Sequence, residues 1–593
     1  MSAGQRKIAL DSMVKGMCNA RDSNKESGFT LGWDVVVSYT EDEINALLKN
    51  KWDKDRTRMV TEIVSKSDVF DEDDGEEIRV VRKLFLDAPL IRFHSGEGGE
   101  PSVELTMPVM SGWRQQEDMQ TGKPKGVQSE MPTNAFNIKL SGIRLGTVVG
   151  KYEEIKNTAN QDATKLSIVN SKETCVFRQN LSKPTTDDFE VAWVVLDLAT
   201  EGEKYTVTGE ITLSPNDPNY KKAKGLLNNV VGSAKDYFEN GDKIDVLRYA
   251  LATVKNKPQF DGAISVDLTP VSFRLATFSA SYTAQRALSL LIHTQSGRDA
   301  GEKADLQTKW KGQWVDNGIA PIPDGHTASL MFNPELTFKT MIEPGLERSK
   351  AWDVDDERLK DREGGLAFNA RKTRDWYVAS GSFDYEDTVN FCTLYVRGWQ
   401  KNFKNDPAAI HIHQKNYDGP PVANINWKFN IESEWTDLTK DGKWYALGKK
   451  VEYKSVNVRT TYSLNDDVDL IVKTTDTDVS FSIDASKVTE KWQLSDEKID
   501  HKGDWFDRAT TAINNFVSAN PTESALNKRR EWMGSLKPSI EFDVVGLGFF
   551  MTTNLLNPGA KVIKLDQAVG LRLPKDLLLV GDVIQGQDAV KAR

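Results

Sequence analysis

The chain has 593 residues, 39% hydrophobic and 28% charged, and its net charge of −10 is small against 77 basic and 87 acidic side chains. That balance belongs to a globular and not a disordered protein, and the length calls for two or more domains or one long repeating sheet. With no basic block to pair with phosphates a nucleic-acid partner is not expected, and three distant cysteines (Cys18, Cys175, Cys392) exclude both a disulfide framework and a Cys-based zinc site.

The first residues, Met1 to Lys7, lead into no apolar core of signal-peptide length. No run reaches the ~18 apolar residues of a membrane span. The expected location is cytoplasmic, or outside the cell by a route without a signal peptide. Next comes Gly32-Trp33-Asp34, then the apolar strand Val35–Val37, then Glu41 to Leu48. Thr40 and Glu43 have the spacing of a capping box, and Ile44, Leu47, Leu48 and Trp52 recur as one helical stripe.

Asp71 to Glu77 is an acidic loop. It fails the calcium-loop spacing, because Phe70 takes the first ligand position when Gly75 takes the sixth. Strand text follows at 78–86, 90–93, 102–110 and 135–149, the last with its alternation broken at Ile143. Further strands are read at 166–169, 174–178, 189–198 and 205–213, the last two joined by a hairpin through Thr200–Glu203. Two helices are expected. Tyr220–Phe238 carries Leu227, Val231, Ala234 and Phe238 on one face, and Asp242–Val254 carries Ile244, Leu247, Leu251 and Val254.

Strands resume at 263–275 and 288–293, residues 295–325 read as loop, and 328–332 is a short strand. Periodicity is lost near 345, which divides the chain into 1–345 and a second sheet–helix half, 346–593. That half has strands at 450–463 and 468–483, helical text at 503–533, and late strands at 542–551 and 577–580. Strands not separated by single helices make an α+β pattern and disfavour a doubly wound sheet.

Catalytic signatures are absent: no Gly-x-Ser-x-Gly elbow, phosphate loop or His-Glu-x-x-His helix occurs. Gly546-Leu547-Gly548 lacks the third glycine of a dinucleotide fingerprint. His411 and His413 have no third ligand nearby in sequence, so no metal or other cofactor is expected. Trp310, Trp314, Trp399, Trp427, Trp435 and Trp444 hint at a sugar surface, but aromatics at such positions are more often core. A non-enzymatic protein is the expectation.

Gly32-Trp33-Asp34 with its strand and Glu-Ile-Asn-Ala-Leu-Leu helix resembles the opening of a family found in clostridial botulinum neurotoxin gene clusters, the forty-seven-kilodalton protein and the Orf-X proteins. Pro321-Ile322-Pro323-Asp324-Gly325-His326 before Thr327–Leu330 resembles that family's proline-rich turn and short strand. Together they bracket about the first 330 residues. The resemblance implies a tubular lipid-binding (TULIP-like) fold, in which a long, strongly curved antiparallel sheet wraps around long amphipathic helices and leaves an apolar groove.

A groove of that kind takes a lipid or other apolar ligand. About 0.8 kcal/mol per CH₂ gives on the order of 12 kcal/mol gross for a ~16-carbon chain. Its candidate lining is Ile44, Leu47, Leu48, Leu227, Val231, Leu247 and Leu251, for each of which plain core packing is the commoner role. The resemblance also admits an accessory to a toxin or secretion system. Two alternatives stand beside the lipid reading: a closed-core assembly protein that binds other proteins, and a membrane-acting toxin component.

Overall fold

The computed structural model describes residues 1–20, 28–56, 59–71, 76–94, 100–151, 154–155, 167–177, 190–198, 205–239, 249–256, 268–295, 297, 304–337, 561–566, 572 and 576–585, and, between 352 and 544, the backbone of the strands. The chain divides into two compact units, Met1–Thr337 with Thr474–Val479 and Val545–Arg593, and Phe338–Lys473 with Ser480–Val544. The helical text at 503–533, Gly546–Gly548 and Leu247 lie outside the described residues.

The first unit begins with α1 (Ala3–Ala20), β1 (Val35–Thr40) and α2 (Glu41–Asp55). Strands β2 (Glu62–Asp71), β3 (Glu76–Leu86), β4 (Leu90–His94), β5 (Ser102–Asp118), β6 (Pro124–Glu130) and β7 (Phe136–Lys151) follow. Then come β8 (Ile168–Asn170), β9 (Cys175–Val176), β10 (Glu190–Asp197), β11 (Thr206–Ile211), α3 (Tyr220–Glu239) and β12 (Ala252–Asn256). The run closes with β13 (Pro270–Ser279), β14 (Arg286–Thr294), α4 (Leu306–Trp314) and β15 (Ala328–Phe332). The second unit holds β16 to β27, from Trp352–Arg358 to Glu541–Val544, in an antiparallel sheet of its own. The last strands, β28 (Lys561–Leu565) and β29 (Leu577–Gln585), pair with each other, and β29 pairs with β15. The late strand at 577–580, which the sequence assigns to a second half, therefore completes the sheet of the first unit.

That sheet runs β28-β29-β15-β1-β14-β13-β9. All six residues of β1 are buried, so both faces of this strand are covered. Ser38 and Ser289, opposite each other on β1 and β14, satisfy one another's hydroxyls at 2.8 Å.

The other sheet runs β12-β10-β7-β5-β3-β2, with β4, β6, β8 and β11 alongside its long strands. Strands β5 and β7 change partner midway. One flank of β5 pairs with β4 and then β3. One flank of β7 pairs with β11 through 136–141 and with β10 through 144–151. The switch on β7 falls at Gly142, whose φ of 81° few other residues adopt, and this accounts for the broken alternation at Ile143.

Three expectations fail here. Strands β10 and β11 form no hairpin: both run antiparallel to β7, one after the other, as a single interrupted strand. The helix expected over 242–254 gives way by Ala252, where β12 pairs with β10 and Leu251 N–H donates to Val194 O. The exposed edge of β10 offers hydrogen bonds to a segment containing β-branched Thr253 and Val254, and this outweighs its helical spacing. Finally, the loop of 295–325 contains α4, with Trp310 and Trp314 fully buried and their ring centroids 5.5 Å apart. These two tryptophans are core and not a sugar surface.

The second sheet is strongly curled. Strands β2 and β11 are separated by β3, β5 and β7, about 19 Å if flat, yet both pack on the single helix α3. A helix is only ~10–12 Å across, so the sheet must bend round it. The result is an α+β, TULIP-like arrangement, a curled antiparallel half-barrel with a long helix along its open side. Among the described residues no helix is long and apolar enough to cross a membrane.

Candidate functional site

The two stretches that carry the family resemblance are neighbours in space. Val35–Tyr39 pairs along its length with Ala328–Phe332, and Thr40 N–H donates to Thr327 O. Asp34, buried beside fully enclosed Trp33, holds the end of β14: its Oδ2 accepts from Thr294 N–H and lies 2.7 Å from His293 Nδ1. Gly297 passes so close that any Cβ there would strike the Asp34 carboxylate. At the other stretch Gly325 turns with a φ of 87°, and His326 Nε2 sits 3.1 Å from Asp566 beside β28. Arg6 of α1 pairs with Asp582 of β29 at 2.6 Å. The polar chemistry of this corner is thus spent on joining strands and holding α1 to β29.

Helix α2 is equally closed. Thr40 has the extended backbone of a cap (φ −66°, ψ 151°) but its hydroxyl makes no capping bond and is buried without a partner, so the capping box is not formed. Glu41 and Asn45 serve a different purpose. Glu41 Oε2 accepts from Phe93 N–H at 2.7 Å, while Asn45 accepts from Ile91 N–H at 2.7 Å and donates to Ile91 O at 3.0 Å. Four helical residues rise ~6 Å and two strand residues ~6.6 Å, so side chains at i and i+4 meet the open edge of β4 in register. Burial raises the pKa of the Glu41 carboxyl, against the lowering effect of the Phe93 amide and Arg286. Ile44, Leu47, Leu48 and Trp52 are all buried, at 0, 1, 0 and 4% exposure.

Helix α3 is seated differently. Ala223, Val230, Ala234 and Phe238 are buried, and Ser65 Oγ of β2 donates to Ser233 Oγ at 2.7 Å. Leu226, Leu227, Val231 and Tyr237 remain half-buried. Leu227 and Val231 border β11, where Val207, Gly209 and Ile211 are also half-buried. A Cβ on Gly209 would come within 2.7 Å of Val231 and 3.1 Å of Leu227. The missing side chain lets the helix lie close to the strand, leaving a shallow apolar seam along one side.

Of the candidate lining residues, then, Ile44, Leu47 and Leu48 are together in sealed packing between the two sheets. Leu227 and Val231 are together on the α3–β11 seam. Leu251 is buried ahead of β12, apart from both groups.

Two arginines that sequence reading passed over share the trough under α3. Ser65, Arg82 and Arg114 stand opposite one another on β2, β3 and β5, so all three point to the face that α3 covers. Arg82 donates from Nη1 to Ser67 Oγ at 2.8 Å. Its pKa is lowered by burial and by Arg114, against the raising effect of Asp236 on α3. The only sequence signal was a charged residue at an inward position of each alternating strand, visible once the register is known. Among the described residues no group of His, Cys, Asp and Glu is arranged to hold a metal ion. Burial, with Glu190 adding to it, pushes the Cys175 thiol up to about 12, which makes it a poor nucleophile.

No family model matches the chain, and no curated protein matches it in sequence. Solved structures similar to it include P47 from Clostridium botulinum A2, at 12% identity and a TM-score of 0.42, covering 93% of this chain and 98% of that one. P47 of Clostridium botulinum E1 matches at 12% identity and 0.41, covering 93% and 99%. A lipopolysaccharide binding protein matches at 11% and 0.25, also covering 93% and 99%. The P47 family that residues 32–48 and 321–330 resemble thus recurs among the structural matches. At these scores the fold assignment rests on the strand register itself.

Proposed function

We propose that the chain binds a lipid or similar apolar ligand without catalysing a reaction, and that the ligand lies along the seam between α3 and β11. The observation that carries this reading is the unequal closure of two amphipathic helices in one unit. The stripe of α2 is fully enclosed, whereas Leu227 and Val231, which lie over Gly209 of β11, are only half-covered, as are Val207 and Ile211 of that strand. An acyl chain laid there would bury apolar surface at both walls, at about 25 cal/mol per Å². Ile44, Leu47 and Leu48 then act as scaffold and leave the ligand path to Leu227 and Val231. A role as accessory to a toxin or secretion system fits a carrier of this kind.

Organic extraction of the purified protein with lipid mass spectrometry, joined to titration with a fluorescent fatty acid, tests the reading. Saturable uptake is expected, and Leu227→Trp, which fills the seam, should weaken it about tenfold or more, the effect of ~1.4 kcal/mol. An empty extract with no uptake would remove the lipid claim.

A further inference from the structure

We infer that the trough takes an amphiphilic anion, whose acid head sits on Arg82 and Arg114 while its apolar chain follows Leu227 and Val231. This rests on the seam proposed above as the ligand path and names the class of ligand. The two guanidinium groups are half-buried, side by side, and both Nε atoms are enclosed without a hydrogen-bond acceptor. Arg114 makes no hydrogen bond or ion pair among the described residues, and the one acid felt by Arg82 is Asp236. Among the described residues Arg114 thus has no counter-ion, and a partly desolvated charge in that state favours the arrival of an anion. Paired guanidinium forks match the planar oxygens of a carboxylate or the oxygens of a phosphate.

The surroundings specify the rest of the ligand. Along the same face of β5 the inward residues change from Gln116 and Arg114, past Gly112, to Val109, Met107 and Leu105. Met107 stands opposite Ile138, and Ile138 opposite Gly209 beneath Leu227 and Val231. The polar end and the apolar seam therefore lie on one face of the curled sheet, joined across the fully buried Val109, Met107 and Ile138. From Arg114 to Val109 along β5 and then across two strand spacings to Ile211 is on the order of 20 Å. That is comparable to one lipid acyl chain, roughly half of a ~30 Å bilayer core. A small free anion would leave the apolar end unused, and a neutral lipid would leave the arginines bare.

The test uses the full chain with two probes of the same tail, oleate and oleyl alcohol below their aggregation limits, and with dodecyl phosphate against inorganic phosphate. Wild type should prefer oleate to oleyl alcohol, and dodecyl phosphate to phosphate, by about tenfold or more. Arg114→Gln should bring oleate to within about threefold of oleyl alcohol and leave alcohol binding unchanged. Its melting temperature should be at or above the wild-type value, since an uncompensated charge is removed and no hydrogen bond to the described residues is lost. Arg82→Lys, which keeps the charge, should retain part of the preference. Equal binding of oleate and oleyl alcohol by wild type, or an undiminished preference in Arg114→Gln, would overturn the head-group assignment and leave the seam standing. Phosphate binding as tightly as dodecyl phosphate would make this a free-anion site and overturn the inference. A collapse in the stability of Arg114→Gln would do the same by revealing a structural role. Failure of either amphiphile to bind would remove the seam and the head-group site together.

Discussion

Helices α2 and α3 are both amphipathic, both lie against the curled sheet, and both carry leucines that sequence alone assigns to a groove. They end in different states because of what their polar residues do. Glu41 and Asn45 clamp α2 to the free edge of β4, and with that edge closed Ile44, Leu47 and Leu48 pack between two sheets. Helix α3 spans the open side of the same sheet between β2 and β11. It is anchored by small residues and by the Ser65–Ser233 bond, with an apolar flank left half-covered. Whether a leucine stripe becomes core or stays partly exposed is decided here by how completely the neighbouring sheets enclose the helix, not by its hydrophobic period.

Mutations can break this contrast. Leu48→Ala should destabilise the chain by about 2–5 kcal/mol, because a fully enclosed side chain leaves a cavity, while Leu227→Ala should cost less, about 1–2 kcal/mol, its side chain being partly exposed already. Urea unfolding of the pair gives the comparison directly; equal losses would place α3 in the core. Asn45→Ala should cost about 1–3 kcal/mol, since it strips both partners from Ile91 at the edge of β4, and amide exchange should speed up at Ile91 and not on β11.

The smallest effect is at Glu41. Burial raises its folded pKa above the unfolded value, so the folded chain keeps this proton to higher pH than the unfolded chain. The stability this proton adds is complete below the unfolded pKa and is lost as pH rises through the folded one. Glu41→Gln, still able to accept from Phe93 N–H, should match wild type in acid and gain on it, within about 1 kcal/mol, once pH passes that window. Denaturation curves collected from acid to neutral pH measure the difference; a gain confined to acid pH would contradict the assignment.

Much of this fold can be read from residue patterns. Period-two alternation locates the first half of β5 and most of β7, and helical spacing locates α2 and α3, because each depends on local burial of one face. The failures share a cause. Ala252–Asn256 has helical spacing but is drawn into pairing by β10, and Leu577–Gly581 is claimed by β15, a partner far away in sequence. Thr40 and Glu43 have capping-box spacing, yet the neighbouring Glu41 makes the useful bond, because the edge of β4 lies within its reach. The site was legible only in part. Leu227 and Val231 stand out by spacing, whereas Arg82 and Arg114 become a pair only through a strand register that no local pattern contains.

Hydrogen exchange read separately on α2 and α3, with and without oleate, tests the central contrast most directly. The account predicts that α2 exchanges only through global unfolding and is unaffected by the ligand. It predicts that α3 exchanges faster in the free protein and slows, together with β11 and β2, when oleate binds. Ligand-dependent protection on α2, or equally slow exchange on both helices with no response to oleate, would contradict it.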